Sequence, residues 1–146
     1  MPAGLLMSNP YLRKVNLRNN ELEKIVALTI LLMHPDAEII DLKYSSTQFL
    51  ELDAIIIDGP KSLFIDMAHT KIKKLEEYVW QPILEQNATI NFEACDLECG
   101  CTSQWLPARE EFHPLVIEAW CYDGWLPALT KDDFIMRNKV NCTIVL

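Results

Sequence analysis

Two aspartates, Asp53 and Asp66, interrupt a segment, residues 50–68, that otherwise has the composition of buried β-strands. The Gly-Pro turn at residues 58–61 predicts a hairpin in which the two carboxylates face each other. At a Cβ separation of ~5 Å, like charges repel by roughly 3 kcal/mol at an effective dielectric near 20. A shared proton, a basic partner or a divalent cation would relieve this repulsion, whereas a solvated strand end or a register shifted by one residue would avoid it.

Soft metal ligands are concentrated further along the chain. Cys95, Cys99 and Cys101, with His113 and Cys121 downstream, supply enough ligands for one tetrahedral zinc ion. The spacing C-x3-C-x-C is not a common zinc motif, and buried free cysteines are an equally ordinary use of such residues. The sequence is therefore compatible with a structural zinc site and also with reduced cysteines that bind no metal.

Helices and strands are expected to alternate around these residues. A capping box at Asn20 and an apolar stripe predict a helix that His34-Pro35 ends. Three β-rich runs then predict an antiparallel meander, and Thr70 is expected to cap the next helix. The predicted helices cover residues 10–18, 20–33, 70–83 and a short stretch after 130, and the predicted strands cover 37–44, 49–57, 62–68, 88–94, 115–122 and 140–146. This order, α-β-β-β-α-β with a C-terminal α/β extension, predicts an α/β fold whose mixed β-sheet is flanked by helices.

Length and composition indicate one domain. The 146 residues, half of them apolar, are enough for a single core, which we expect over about 20–94, with a Cys- and Trp-rich extension over about 95–146. The tetrapeptide WLPA occurs at residues 105–108 and again at 125–128, but two copies do not predict a repeat architecture.

The charge of the chain restricts its partners. A net charge of -8 works against sequence-independent binding to nucleic acid or to an anionic membrane, so any nucleic-acid contact would need a local basic patch. The candidates for that patch are Lys71, Lys73 and Lys74 together with Arg13, Lys14 and Arg18, for which a solvated surface is the alternative. Without a recognisable signal peptide or an apolar run of membrane-spanning length, an intracellular location is expected.

The segment over residues 20–94 resembles the PD-(D/E)XK nuclease superfamily, which has a restriction-endonuclease-like core. Asp53 takes the place of the family's first aspartate, and FIDMA, residues 64–68, takes the place of its hydrophobic strand with (D/E)-x-K. The stretch IDMAHTKIKKLEEY is most similar to the viral, cap-snatching branch. Two positions depart from the family pattern: Leu52 replaces a frequent proline, and Ala68 replaces the motif lysine.

The resemblance implies a metal-dependent nuclease that hydrolyses phosphodiester bonds. Asp53, Asp66 and the carbonyl of Met67 would bind Mg²⁺ or Mn²⁺, and the ion would lower the pKa of the attacking water. The remaining ligand would be Glu21, Glu23 or His34, and the missing amine would come from Lys71, Lys73, Lys74 or Lys43.

Two alternatives to this site and function are open. The string IIDLK, residues 39–43, also has the form of the nuclease motif, but no meander precedes it, so Asp41 and Lys43 are interpreted as ordinary strand residues. The second function is a non-catalytic acidic α/β interaction protein, either an inactive relative of the nucleases or an accessory subunit that binds a protein partner.

Overall fold

The fold is mixed α/β, with a parallel central sheet flanked by helices. The computed structural model describes residues 10–98 and 101–121. The strands are β1 (Lys14–Asn16), β2 (Lys24–Ile25), β3 (Ile30–Leu32), β4 (Ile39–Asp41), β5 (Phe49–Leu50), β6 (Ile55–Ile57), β7 (Leu63–Asp66), β8 (Ala88–Leu97) and β9 (Val116–Cys121). The α-helices are α1 (Glu77–Glu85) and α2 (Trp105–Ala108), and two 3₁₀ segments cover Cys101–Ser103 and Glu110–Leu115.

A constant step of 25 residues relates the paired strands from β1 to β8, whereas β9 pairs with β8 in an irregular register. The central sheet has the order β1-β4-β7-β8-β9, and its first four strands align Lys14 with Ile39, Phe64 and Thr89 in parallel register. The smaller sheets, β2-β5 on the second side of the fold and β3-β6 on its third side, repeat the same step. The chain therefore forms a solenoid, and we name its turns coil 1, coil 2, coil 3 and coil 4 from the first residue of each, which is Lys14, Ile39, Phe64 or Thr89.

The apolar pattern explains why the chain winds in this way. Equivalent inward positions of successive coils carry Val15, Ile40, Ile65 and Ile90, all of which are buried. A parallel neighbour cannot be reached through a tight turn, so each coil passes through the second and third sides before it returns to the central sheet. Stacking one coil on the next then buries a continuous apolar interior, which no single coil could form.

Corners of the coils require an unusual backbone conformation. Asn19, Tyr44, His69 and Ala94 lie at the same step and all have φ between 55° and 61°. This left-handed region is disfavoured for residues with a Cβ, by roughly 1–2 kcal/mol for each residue. Asn19, Tyr44 and His69 follow the ends of β1, β4 and β7, whereas Ala94 lies inside β8, where the register with β9 is irregular.

Coil 3 differs from coils 1 and 2 on its third side. Helix α1 stands there in place of a strand like β3 or β6, although Pro82 lies inside it. Its buried residues include Trp80, whose ring packs edge-on against Phe92 with centroids 5.1 Å apart. No helix in the described part of the chain combines the length and the apolar character needed to cross a membrane.

The predicted antiparallel meander is wrong. Strands β4, β6 and β7 belong to two different sheets, and every observed pairing is parallel. The turn at Gly59 does not close a hairpin, because it leads from the third side of coil 2 back to the central sheet. The α-β-β-β-α-β order is not observed, so the restriction-endonuclease-like topology is not confirmed.

The predicted helices over residues 10–18 and 20–33 are also wrong. The first range contains β1, and the second contains β2 and β3. Ile25 and Ile30 are both buried in the interior, but they belong to strands on two different sides of coil 1. The turn between these strands gives the apolar residues a spacing that resembles that of a helix. Asn20 is not a helix cap, because the chain continues from it into β2, and its side-chain amide donates to the carbonyl of Arg18.

Other predicted elements agree better with the structure. The predicted strands that begin at Ala88 and Leu115 are confirmed, although the first continues to Leu97. The helix expected from Thr70 begins seven residues later, at Glu77. The elements predicted after residue 130 lie outside the described residues.

Candidate functional site

The side of the central sheet that points away from the interior carries a row of polar residues. Along each strand the side chains alternate between the two faces, as the pleat requires. We call this side the outer face, and its residues on β1, β4, β7 and β8 are Lys14, Asn16, Ile39, Asp41, Phe64, Asp66, Thr89 and Asn91. Most of them are exposed or half-buried, whereas Asp66 is only 7% exposed.

A row of Asn and Asp crosses the outer face, one residue from each coil. In Asn16, Asp41, Asp66 and Asn91 the side-chain Oδ1 accepts the backbone N–H of the residue two positions further on, at 3.0 to 3.2 Å. This local bond satisfies a backbone donor just before the left-handed corner. The carboxylates of Asp41 and Asp66 therefore have the same structural role as the side-chain amides of Asn16 and Asn91, because each accepts this backbone hydrogen bond.

Basic side chains connect this row from coil to coil. Arg18 Nε lies 3.4 Å from Asp41 Oδ2, and Lys43 Nζ lies 3.5 Å from Asp66 Oδ2. In each pair the cation belongs to one coil and the carboxylate to the next. The position equivalent to Arg18 and Lys43 is Ala68 in coil 3, where the series of cations ends.

An aromatic pair lies at the corner beside this row. The rings of Tyr44 and His69 are stacked, with centroids 4.6 Å apart and planes inclined by 19°. Both residues occupy the left-handed position of their coils and are exposed, Tyr44 by 49%. The pair forms a platform that an aromatic, apolar or cationic group of a partner could contact.

Asp53 and Asp66 are not opposed in the structure. Asp66 pairs with Asp41 on one side and with Asn91 on the other. Asp53 is exposed in the turn before β6, and its backbone carbonyl accepts the N–H of Leu28. The predicted cross-strand pair is therefore wrong, because it depended on the hairpin that does not form.

Glu23 and His34 lie on other sides of the solenoid. Glu23 is exposed beside β2, and its carbonyl accepts the N–H groups of Gln48 and Phe49. His34 follows β3, where its Nδ1 accepts the N–H of Asp36 at 3.0 Å. Within residues 10–98 and 101–121, no three His, Cys, Asp or Glu side chains come together as a metal site. Mg²⁺ or Mn²⁺ binding stays a prediction.

The predicted catalytic lysines line a separate cavity. Lys71, Lys73 and Lys74 surround a space of about 410 Å³ on the second side of the solenoid, next to Phe49. Asp66 does not line this cavity. The lysine that contacts Asp66 is Lys43, which the sequence suggested only as one of several sources of the amine.

The basic residues proposed as one patch divide between two surfaces. Lys14 lies on the outer face, where it pairs with Glu38 at 3.2 Å, and Arg18 pairs with Asp41. The lysines of residues 71–74 line the cavity instead. A nucleic acid that contacts both groups would have to pass around a corner of the solenoid.

Cys95 is an interior residue of coil 4. Its thiol donates to the carbonyl of Met67 at 2.9 Å and lies 3.2 Å from Thr70 Oγ1. Burial raises the pKa of this thiol to about 11, which disfavours the thiolate that binds zinc. Nε2 of His113 lies 3.2 Å from the carbonyl oxygen of Leu106.

The remaining zinc candidates are not described by the structure. Cys99 lies outside the described residues, and so do the side chains of Cys101 and Cys121. Zinc binding by this cluster stays a prediction.

Sequence reasoning missed the outer-face row and the aromatic stack. Their signal is a repeated pattern with a step of 25 residues, in which Ile40, Asp41 and Leu42 correspond to Ile65, Asp66 and Met67. Comparison of the chain with protein-family models, with curated proteins and with solved structures finds no match, so the outer face has to be interpreted from its own geometry.

Proposed function

We propose that the chain is a leucine-rich-repeat-like solenoid that acts as a non-catalytic scaffold and binds another protein across its outer face. The repeat pattern L-x-x-L-x-L-x-x-N/C-x-L supports this relation. In coil 1 it corresponds to Leu12, Val15, Leu17, Asn20 and Leu22, and in coil 4 to Ile90, Phe92, Cys95 and Leu97 from its second apolar position onward. Solenoids of this kind use one extended surface to bind partners.

The exposed stack of Tyr44 on His69 is the observation that carries the proposal. Aromatic side chains with one free face are the usual anchors of protein interfaces. The half-buried Phe64 and Ile39 add apolar surface on the same face. Asp41 and Lys43 add charged groups that already have partners, so a bound protein would not have to desolvate isolated charges.

Site-specific photo-crosslinking tests the proposal. A photoreactive phenylalanine in place of Tyr44 should give a discrete adduct with a protein in cells, while the same group in place of Tyr78 should not. Tyr78 is a suitable control because it is 63% exposed on α1, on another side of the solenoid. Adding His69→Ala to a photoreactive group at Phe64 should weaken the adduct, since the stack is then lost.

Two outcomes would contradict an interaction surface at this place. One is an equal yield of the same adduct from the positions of Tyr44 and Tyr78. The other is an adduct at the Tyr44 position that consists of nucleic acid and not of protein.

A metal-dependent nuclease site on this fold is a second proposal, and one observation favours it. Asp41 and Asp66 are neighbours in the sheet, and Lys43 lies against Asp66. Two acids and an amine are the groups that such chemistry needs, although Asp53 is not among them. Mn²⁺ should then raise the melting temperature of the wild type but not of Asp66→Asn. Cleavage of RNA or DNA that is lost in Asp66→Asn and kept in Asp53→Asn would support this site.

A further inference from the structure

The cavity on the second side of coils 2 to 4 has the size of a small-molecule site. Its volume of about 410 Å³ lies within the usual range of ligand pockets. Phe49 of coil 2, Lys73 of coil 3 and Glu98 of coil 4 all line it. The backbone N–H of Glu98 donates to the carbonyl of Lys73 at 2.7 Å, which fixes coil 4 against coil 3 at this place.

The charged groups of the cavity have no ion-pair partners in the described structure. Lys71, Lys73 and Lys74 lie more than 4.0 Å from every described carboxylate, although Asp96, Glu98 and Glu76 line the same space. The outer face behaves differently, since its cations are paired. Three ammonium groups and three carboxylates therefore line the cavity without forming ion pairs with each other.

The charges of the lining are unevenly distributed between the coils. The lysines belong to the segment of residues 71–74 in coil 3, which Glu76 follows, whereas Asp96 and Glu98 belong to coil 4. A bare phosphate chain would be attracted by the lysines and repelled by the carboxylates. A phosphate chain with a bound Mg²⁺ suits both, because Mg²⁺ is commonly held by one or two carboxylates together with phosphate oxygens.

Phe49 adds an aromatic surface next to the lysines. Its side chain lines the cavity, and the residue is 53% exposed although it lies in a strand. Nucleobases stack on exposed aromatic rings of this kind. The cavity thus offers an aromatic face, ammonium groups and carboxylates, which match the base, the phosphates and the metal of one ligand.

We propose that the cavity between Phe49, the lysines of residues 71–74 and Asp96 binds a nucleoside di- or triphosphate as its Mg²⁺ complex. The lysines contact phosphate oxygens, Asp96 and Glu98 contact the metal or its water ligands, and the base stacks on Phe49. This site is separate from the outer face, so a bound partner protein and a bound nucleotide do not compete for the same residues.

Calorimetric titration of the whole chain with Mg·ATP, up to millimolar concentration, tests the proposal. Saturable binding is expected, and it should weaken when EDTA removes the metal. Lys73→Met should lower the affinity about tenfold, because it removes a charged hydrogen-bond donor. Phe49→Ala should lower it about fivefold or more, whereas Mg-pyrophosphate should bind equally to Phe49→Ala and to the wild type.

A matched control variant is available in Lys61. This lysine is exposed, lies outside the cavity and has no described ion pair, so Lys61→Met should bind Mg·ATP like the wild type. Lys74→Met serves as a second variant if Lys73→Met does not fold, as judged by circular dichroism. The absence of saturable binding, or binding unchanged in both the lysine variants and Phe49→Ala, would overturn the proposal.

Discussion

Lys43 Nζ lies 3.5 Å from Oδ2 of Asp66, a carboxylate that belongs to the next coil of the solenoid. The Asp66 side chain is 9% exposed and the Lys43 side chain 31%. A carboxylate that is shielded from water is costly to bury unless a cation compensates its charge. We therefore expect Lys43→Met to lower the free energy of unfolding by about 1–2 kcal/mol. Urea denaturation monitored by circular dichroism measures this loss.

The equivalent pair in the preceding coils is the control for this prediction. Arg18 and Asp41 are more exposed, with side chains 43% and 16% accessible, so Arg18→Met should cost less than Lys43→Met. In the double variant Lys43→Met/Asp66→Asn the buried charge is gone, and part of the lost stability should return. Equal losses for Arg18→Met and Lys43→Met would show that burial of the carboxylate does not set the strength of the pair.

Individual strands could be predicted from the sequence, but their partners could not. The β-rich runs at residues 37–44 and 62–68 contain β4 and β7, since apolar and β-branched residues report local conformation. The partner of a parallel strand lies a whole coil away, and only the 25-residue step carries that information. The Gly-Pro turn before Lys61 is typical of a hairpin, and the antiparallel register that the sequence predicts depends on that turn.

The candidate site could also be predicted only in part from the sequence. The sequence identifies Asp66 as a candidate because it is an acid in an apolar strand, and the structure places it in β7. Its relation to Asn16, Asp41 and Asn91 is a relation between coils, so it became visible only with the register. The sequence offers Lys43 only as one of four possible amines for the Asp66 site, and only the parallel register shows that it is the lysine that contacts Asp66.

Ala94 offers a test of the strain at the left-handed position that recurs in the coils. Its φ of 55° is the left-handed value shared by Asn19, Tyr44 and His69, and glycine adopts that value without a Cβ clash. We expect Ala94→Gly to raise the free energy of unfolding by about 0.5–1 kcal/mol. Ala88→Gly, in a fully buried strand position, should instead lower it by about 1 kcal/mol. A loss of stability in Ala94→Gly would refute the assignment of strain.

Gly59 tests the turn that leads from coil 2 to coil 3. Its φ is 116°, and a Cβ at this position would lie 2.5 Å from the carbonyl oxygen of Met33. Because both the conformation and the contact exclude a side chain, Gly59→Ala should lower the free energy of unfolding by about 2 kcal/mol or more. The neighbouring Asp58→Ala changes an exposed side chain and should stay within about 0.5 kcal/mol of the wild type. Thermal unfolding of both variants would contradict this account of the turn if their melting temperatures were alike.

The buried thiol of Cys95 makes stability depend on pH above neutrality. Burial raises its pKa from the ordinary value of 9.0 to about 11 in the folded protein. The unfolded thiol therefore loses its proton first, between pH 9 and pH 11, and that ionisation favours the unfolded state. The free energy of unfolding should be constant below about pH 8 as far as this group is concerned, and should fall by up to about 1.4 kcal/mol per pH unit between pH 9 and pH 11.

Comparison with Cys95→Ser isolates this contribution from the ionisation of other groups, since the serine hydroxyl does not titrate in this range. The variant keeps a hydroxyl that can donate to the carbonyl of Met67, which now accepts the thiol proton at 2.9 Å. Urea denaturation between pH 8 and pH 10.5 should therefore show a steeper decline for the wild type than for the variant, by about 2 kcal/mol at the alkaline end. Parallel declines would mean that the folded thiol ionises as readily as the unfolded one, which its burial at 0% exposure argues against.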